Sequence, residues 1–264
     1  MMLRPIRRGL GISAGLDAGL ARDFAMQCHR LGYHSLWSND EPAASGLKTV
    51  AHFASAAPQL ELGVGALPLD RHQPAQIVAE IDRLGLDPAK LWIGIGAGQL
   101  RAPIQIIEQA VAELRELLPE QTRVVVAAMR PKLCRLGGAI ADGVLLNWTL
   151  PTQAARARRW VQEGADVAGR TAPVVASYVR VALGSGASQR LRDEEDRYRK
   201  KNEGHRRYFE AMDVAPGSVG VAAAARSELL DGLAPYHAVL DLPIARVLPA
   251  DAESLHVAAA AAAP

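Results

Sequence analysis

The stretch VVVAAMRPKLCRLGGAIADGVLLNW (124–148) contains a complete strand–helix–strand unit and decides the fold. Its two continuous apolar runs, VVVAA and GVLLNW, predict strands buried on both faces, which is typical of parallel strands covered by helices. Between them, Pro131 suits the first position of a helix, where a missing N–H costs no hydrogen bond. The stretch therefore predicts two parallel strands joined by a helix.

The same alternation continues in both directions along the chain. Apolar runs that each precede a helical pattern occupy 7–13, 34–38, 60–67, 91–96, 122–128, 142–148, 172–183 and 242–249. Eight such units in about 250 residues predict an α/β fold of the (β/α)8 TIM-barrel type, with a doubly wound open sheet as the alternative. The connections are short and none has the composition of a linker, so we expect a single domain over residues 1–264.

Two segments depart from the repeating unit. Residues 184–236 are longer than one crossover helix requires and begin with a very polar stretch, which predicts extra, solvated helices between the seventh and eighth strands. The alanine-rich end, 257–264, predicts a fraying helix terminus.

Composition excludes several classes of function. A net charge of +2 without a basic block argues against nucleic-acid binding. No apolar run approaches the roughly 18 residues of a membrane span, and the basic N-terminus leads into no apolar segment of a signal peptide. The two cysteines, Cys28 and Cys134, lie far apart in apolar contexts, as expected of reduced, buried thiols in a cytoplasmic protein. The seven histidines show no spacing typical of a metal site.

Three cations surround the start of the helix in the opening stretch. A helix N-terminus carries partial positive charge, so Arg130, Lys132 and Arg135 should repel it unless an anion binds there. Free N–H groups beyond Pro131, together with these side chains, would hold a phosphate. The alternative is a solvent-facing basic turn.

In a barrel, functional residues lie at the carboxyl ends of the strands. Gly65 and Ala66 end the third strand, where glycine indicates a bulge, a ligand close to the backbone or a tight interior. The segment Gly96, Ala97 and Gly98 ends the fourth strand. It lacks the spacing of a dinucleotide-binding loop, so we interpret it as a place where a flat ligand approaches the backbone, or as a plain turn.

Polar and aromatic residues follow the other strands. Asp40 and Glu41 are adjacent carboxylates suited to acid–base chemistry, although Asp40 could instead cap the next helix. Asn147 and Trp148 could bind the polar edge and the face of a ring, or Trp148 could serve packing alone. Ser13 lies in a G-x-S-x-G pattern but on the first strand, which leaves no earlier strand for the oxyanion hole of a serine hydrolase.

Taken together, SLWSND, LGVGALPLDRHQPAQIVAEIDRL, LWIGIGAG, AAMRPKLCRLGGAIADGVLLNWTLP and YVRVALG resemble the bacterial luciferase-like monooxygenase superfamily, and in particular its short flavin- or deazaflavin-dependent oxidoreductases. The resemblance implies a (β/α)8 barrel that binds FMN or coenzyme F-420 at its carboxyl-terminal mouth. It implies a non-prolyl cis peptide at Gly65–Ala66, a phosphate site at Met129, Arg130 and Lys132, and a ring lined by Asn147 and Trp148. A homodimer or larger assembly is also implied.

Three departures from the family pattern bear on function. Glu41 stands where the family often has a histidine after Asp40, Arg130 replaces a glycine before Pro131, and the segment after Gly98 is too short for the usual cover over the substrate. We therefore predict a flavin- or F-420-dependent oxidoreductase, or possible monooxygenase, acting on a small molecule, with Glu41 transferring the proton. The alternatives are a non-catalytic flavin-binding or empty barrel, and a phosphate-binding lyase or isomerase.

Overall fold

The computed structural model describes residues 7–201 and 203–264. The strands are β1 (Gly9–Ile12), β2 (Ser35–Ser38), β3 (Glu61–Pro68), β4 (Leu91–Gly96), β5 (Arg123–Ala127), β6 (Gly143–Asn147), β7 (Val174–Leu183), β8 (Val221–Ala223) and β9 (Leu242–Val247). The helices are α1 (Ala18–Arg30), α2 (Gly46–Ala56), α3 (Pro74–Arg83), α4 (Pro103–Leu117), α5 (Pro131–Ile140), α6 (Pro151–Val167), α7 (Ala187–Lys201), α8 (Glu203–Glu210), α9 (Arg226–His237) and α10 (Ala252–Ala261).

Eight of the strands close into a parallel barrel, which confirms the predicted fold class. β1 pairs with both β2 and β9, while β7 pairs with both β6 and β9, so β1–β7 and β9 form a ring. The eighth predicted strand is therefore β9. The short strand β8 was not predicted, and it pairs with the last three residues of β7 beyond the ring.

Local sequence signals fix where the helices begin. Proline occupies the first turn of α3, α4, α5 and α6, where it needs no hydrogen-bond partner. Asp17 caps α1 by accepting hydrogen bonds from Gly19 and Leu20, and Ser45 caps α2 by accepting one from Lys48. Helices therefore start just after the strand ends, which leaves the carboxyl-terminal mouth of the barrel to short loops.

The barrel interior is filled below this mouth by aromatic and aliphatic side chains. Trp37 and Trp92 lie with ring centroids 5.9 Å apart, and Tyr178 meets Trp37 edge-on at 6.3 Å. Gly63 makes room for them, because a Cβ atom there would lie 2.2 Å from the Trp37 ring. A second and larger core lies between the strands and the surrounding helices.

The long segment between β7 and β9 was predicted to form solvated helices, but two of its helices also contribute buried side chains. Tyr198 of α7 and Phe209 of α8 are buried and pack with Trp148 in a separate aromatic cluster above β6 and β7. Glu195 is also buried, where it binds Arg199 and the backbone of Gly217. Although the segment is mostly polar, the apolar residues Tyr198 and Phe209 lie on the side of these helices that packs over the mouth.

The alanine-rich end does not fray, so that prediction was wrong. Residues 258, 259 and 261–263 are buried against the opposite, amino-terminal face of the barrel. The Arg8 guanidinium donates to the carbonyl oxygens of Ala262 and Ala263, and the Tyr33 hydroxyl donates to that of Ala259. Small side chains let this helix pack closely, which composition alone did not reveal.

Candidate active site

The uppermost inward-facing residues of the barrel form one ring at its mouth. Residues two positions apart in a strand face the same side, so each of these residues follows an interior-facing residue of its strand by two positions. They are Ser13, Asn39, Gly65, Gly96, Ala127, Asn147, Arg180 and Arg246. The ring divides into an arc of small residues on β3–β5 and a polar arc on β6, β7, β9, β1 and β2.

The small arc has the backbone features implied by the family resemblance. The Gly65–Ala66 peptide is cis, and the β3–β4 register shifts between Val64 and Leu67. A Cβ atom added to Gly96 would lie 3.5 Å from the Ala66 Cβ and 3.6 Å from the Ala127 Cβ, which is ordinary contact. At Gly65 a Cβ atom would lie 2.4 Å from the Leu145 side chain, but the rest of the arc presents backbone and methyl groups, the surface that a flat ring needs for close approach.

Gly98 has a local explanation. Its φ is +62°, and a Cβ atom there would lie 2.2 Å from the Asp70 carboxylate. The same carboxylate accepts a hydrogen bond from the Gln99 N–H at 3.0 Å. Gly98 is therefore required by a turn that joins the loops after β3 and β4, and half-buried Ala97 lies between it and the mouth.

The predicted phosphate turn begins α5 as expected. Arg130 is in extended conformation at the N-cap, makes no side-chain cap, and is followed by Pro131 at the first helical position. Arg130 and Lys132 are exposed and have no ion-pair partner among the described residues. Arg135 does not belong to this group, because it faces α6 and forms an ion pair with Glu163 at 2.7 Å. Two cations, with half-buried Met129 beside them, remain near the helix N-terminus.

Asn147 and Trp148 are engaged with Arg180 of β7. The Asn147 side-chain oxygen accepts a hydrogen bond from the guanidinium, which also lies over the Trp148 ring at 4.1 Å. Trp148 has a φ of +51°, rare for a bulky residue, which directs its side chain into the α7–α8 cluster. One face of the indole is thus already occupied. Its N–H and the Arg180 Nε are buried and have no hydrogen-bond partner among the described residues.

The carboxylate of Asp40 is fully engaged. One oxygen accepts a hydrogen bond from the Gly46 N–H at the start of α2, at 2.9 Å, so Asp40 supports this helix start although Ser45 is its N-cap. The other lies 2.8 Å from both the Arg71 guanidinium and the His72 Nε2. A carboxylate held by three donors is fixed in place and positions its neighbours in turn. Arg71 and His72 were missed, although the quoted LPLDRHQP segment contains them.

Glu41 is less constrained than Asp40. It is half-buried, and one oxygen accepts a hydrogen bond from the Asn39 side-chain amide at 3.0 Å. Its charge acts through space on Arg197 of α7, so it lies at the side of the mouth that α7 covers. Of the two predicted catalytic carboxylates, Glu41 is the one with a free oxygen.

Two buried arginines were not predicted from the sequence. Arg180 and Arg246 occupy the inward parity of YVRVAL and PIARVL, a signal that strand alternation could have supplied. Burial is the main cause that lowers the pKa of Arg180. Arg246 donates to the Ser13 hydroxyl at 2.6 Å and to the Asn39 side-chain oxygen at 3.0 Å. Ser13 therefore binds an arginine, and no histidine contacts it among the described residues.

A cavity of about 480 Å³ opens above the polar arc. Its floor contains Ser13 and Arg246, and its wall is formed by the β1–α1 loop, the end of β9 and the charged face of α7. The α7 helix thus covers part of the mouth. Arg130 and Lys132 do not line this cavity.

Two further properties concern the described residues only. They contain no group of histidine, cysteine or acidic side chains placed to hold a metal ion. None of their helices is both long and apolar enough to cross a membrane. Both cysteines are buried and unbridged, and burial raises the pKa of the Cys134 thiol to about 12.

Solved structures with the same fold are numerous. An F-420-dependent secondary alcohol dehydrogenase, solved with an F-420–acetone adduct, superposes with a TM-score of 0.76 at 14% identity over 97% of each chain. A coenzyme F-420-dependent tetrahydromethanopterin reductase from Methanopyrus kandleri superposes with a TM-score of 0.70 at 14% identity, covering 96% of this chain and 97% of the other.

An FMN-bound type II Baeyer–Villiger monooxygenase from Pseudomonas putida has a TM-score of 0.63 at 13% identity, covering 98% of this chain and 96% of the other. No family model matches the chain, and no curated protein matches it by sequence. At such low identity, the likeness establishes the barrel fold.

Proposed function

We propose that this protein is an oxidoreductase that binds FMN or coenzyme F-420 at the mouth of the barrel and acts on a small organic molecule. The observation that carries the proposal is the arc of small side chains at Ala66, Gly96 and Ala127, where a Cβ atom added to Gly96 meets only ordinary contacts, so that a flat ring can approach the backbone. The structures with which the barrel superposes include proteins described as F-420-dependent and one bound to FMN.

The start of α5 supports a site for the cofactor phosphate. Backbone N–H groups in the first turn of a helix are free to bind an anion, and the helix dipole favours negative charge there. Arg130 and Lys132 add two cations that have no other partner among the described residues. We assign the phosphate to Met129, Arg130 and Lys132, and the ring to Gly65, Ala66 and Gly96–Gly98.

Asn147 and Trp148 contribute indirectly. Because Arg180 already binds the Asn147 oxygen and covers one face of Trp148, these two residues position the guanidinium at the edge of the site. A flavin or deazaflavin supplies hydride and electron chemistry that no side chain provides. The residues of the protein bind the cofactor, orient it towards the substrate and exclude water from the site.

Proton transfer is assigned to Glu41. Its second oxygen is free, whereas both oxygens of Asp40 are bound. Asp40 instead orients His72, whose Nε2 it contacts, and so restores an aspartate–histidine pair that the sequence after β2 lacks. His72 comes from the loop after β3, which explains why no adjacent pair is visible in the sequence.

The remaining assignments extend this proposal to the whole protein. We place it in the cytoplasm, where reduced thiols such as Cys28 and Cys134 are maintained. We also propose one domain over residues 1–264 and a homodimer or larger assembly.

The direct test is to add each cofactor to purified protein. We expect FMN or F-420 fluorescence to be quenched at a one-to-one ratio, and NAD(P)H or reduced F-420 to be oxidised when a substrate is present. Binding without turnover across a broad substrate panel would favour the non-catalytic alternative. If neither cofactor binds, the proposal is wrong.

A further inference from the structure

Two guanidinium groups lie side by side in the polar arc without a carboxylate partner. Arg180 and Arg246 are direct neighbours in the β7–β9 register, and their residues are 2% and 1% exposed. Neither forms an ion pair with any described carboxylate. A cation buried among neutral groups is strongly disfavoured unless a counter-charge is provided.

Aromatic rings compensate Arg180 in part. Its guanidinium lies 4.1 Å from the Trp148 ring and 5.0 Å from the Tyr198 ring, and it donates to Asn147. Such cation–π contacts contribute more when they are desolvated, as they are here. Arg180 does not line the cavity above Ser13, so it is not placed to meet a ligand held there.

Arg246 has no such aromatic cover and forms part of the cavity floor. Three of its N–H donors meet Ser13, Asn39 and the carbonyl of Val247. A guanidinium has five N–H donors, so two remain without an acceptor among the described residues. All three partners are neutral, and its charge is not balanced by them.

The other charged groups around the cavity already have partners. Glu194 binds Arg197 through both carboxylate oxygens, and Asp193 accepts a hydrogen bond from Gln189. Arg190 donates to three backbone carbonyls at the ends of β7 and β9 and in the following turn. Arg197 is paired with Glu194 and Arg190 is partly exposed to solvent, so Arg246 is the cation of this cavity wall that is both buried and without an ion pair among the described residues.

We infer that the cavity binds an anionic substrate, and that Arg246 pairs with its carboxylate. The volume of about 480 Å³ is within the range for small organic ligands. The cavity and the small arc both lie at the carboxyl-terminal mouth, so a substrate held there would be close to the proposed ring. Its role as the substrate site rests on the proposed function, whereas anion binding by Arg246 does not.

Benzoate and benzamide provide a test on the unmodified protein. The two probes have nearly the same shape, but only benzoate carries a charge that can pair with a guanidinium. Measured by ligand-observed NMR without any cofactor, benzoate should bind about tenfold more tightly than benzamide or better, since charge-assisted hydrogen bonds are about twice as strong as neutral ones. Equal affinities, or no benzoate binding, would overturn the inference.

Variants separate Arg246 from other cations. Arg246→Met should abolish the preference for benzoate, and Arg246→Lys should retain part of it. Arg83→Met, which removes an exposed guanidinium from α3, is the control and should leave both affinities unchanged. If Arg246→Met does not fold, the comparison of the two probes on the unmodified protein still decides.

A competition experiment distinguishes the substrate from the cofactor tail. Benzoate should not displace FMN or F-420, and Arg246→Met should bind the cofactor as the unmodified protein does. Displacement of the cofactor by benzoate would mean that the cavity holds the cofactor's own anionic group, which contradicts a substrate site. Failure of the cofactors to bind would instead sink the proposed function and leave the probe preference intact.

Discussion

Two inward-facing glycines show how one residue type serves two purposes in this barrel. At Gly63 a Cβ atom would lie 2.2 Å from the Trp37 ring, in the filled interior. At Gly96 it would make ordinary contacts of 3.5 Å with Ala66 and 3.6 Å with Ala127, in the open arc. Gly63 is therefore required for packing, whereas the packing of the protein alone does not require Gly96 to be a glycine.

This difference predicts opposite outcomes for the same substitution. Gly96→Ala should fold with nearly unchanged stability but bind the cofactor about tenfold more weakly, because the new methyl group occupies space meant for the ring. Gly63→Ala should lose about 1–3 kcal/mol of stability through overpacking. Urea unfolding and cofactor titration measure both effects. If Gly96→Ala binds the cofactor with unchanged affinity, the ring does not lie against this arc.

Glu41 provides the second prediction at this scale. Glu41→Gln keeps the hydrogen bond to Asn39 but cannot transfer a proton, so turnover should fall about 100-fold or more with cofactor affinity unchanged. Glu41→Asp, which shortens the side chain but keeps the carboxylate, should recover part of the rate. Steady-state kinetics with full turnover in Glu41→Gln would exclude Glu41 from the mechanism.

At the scale of elements, strand and helix positions followed from the sequence because they depend on local rules. Continuous apolar runs gave the strands of the ring, and prolines marked the starts of four helices. The cis peptide at Gly65–Ala66 came from family resemblance, since no local rule requires it. The burial of α7, α8 and the alanine-rich end could not be deduced, because it depends on partners far away in the chain.

Only part of the candidate site was predicted from the sequence. Glycines and the Arg130–Lys132 turn were visible as local departures from strand or helix pattern. Arg71 and His72 were missed because their meaning depends on Asp40, 31 and 32 residues earlier. Arg180 and Arg246 were missed because charged residues in apolar strands were not checked for inward parity.

The attachment of α10 gives a prediction at this scale. The Arg8 guanidinium donates to the carbonyl oxygens of Ala262 and Ala263 and to His237 Nε2, and burial followed by the charge of Arg8 lowers the pKa of His237 to about 4. Arg8→Met should therefore cost about 2–3 kcal/mol in urea unfolding, since it leaves buried carbonyl groups unsatisfied. The adjacent, exposed Arg7→Met should cost almost nothing. Similar losses of stability in Arg8→Met and Arg7→Met would show that Arg8 does not hold α10 in place.

At the scale of the whole molecule, the two faces of the barrel have separate roles. The small arc on β3–β5 and the cavity above Arg246, beside β1 and β9, both lie at the carboxyl-terminal mouth. The amino-terminal face is closed by α10 and by a cluster at Glu61, which contacts His34, Trp92 and Arg123 at the starts of neighbouring strands. Stability at one face and chemistry at the other is the usual division in this fold.

Acid should lower the stability of the protein by protonating Glu61 at the amino-terminal face of the barrel. Burial alone raises the pKa of Glu61, but hydrogen bonds with His34 and Trp92 and the charge of Arg123 outweigh it and hold the pKa at about 2. Because this pKa lies below the unfolded value, the stabilisation is present above about pH 4.5 and is lost as the pH falls towards 2.

Glu61→Gln tests this pH dependence. The variant should be less stable than the unmodified protein by about 1–2 kcal/mol near neutral pH, a figure reduced for partial exposure of the carboxylate. The difference should shrink towards about pH 3. Urea unfolding at both pH values decides, and a difference independent of pH would show that the charge of Glu61 does not matter.

The central claim is that the mouth holds a flavin-type ring whose phosphate binds at the start of α5. The most direct measurement compares FMN with riboflavin, which lacks the phosphate, in the unmodified protein and in Arg130→Gln/Lys132→Gln. We expect FMN to bind about tenfold more tightly than riboflavin or better, and the double variant to lose this preference while riboflavin affinity stays the same. The same comparison applies to coenzyme F-420 and its phosphate-free core. Equal affinities with and without the phosphate, or no binding of either ring, would contradict the account.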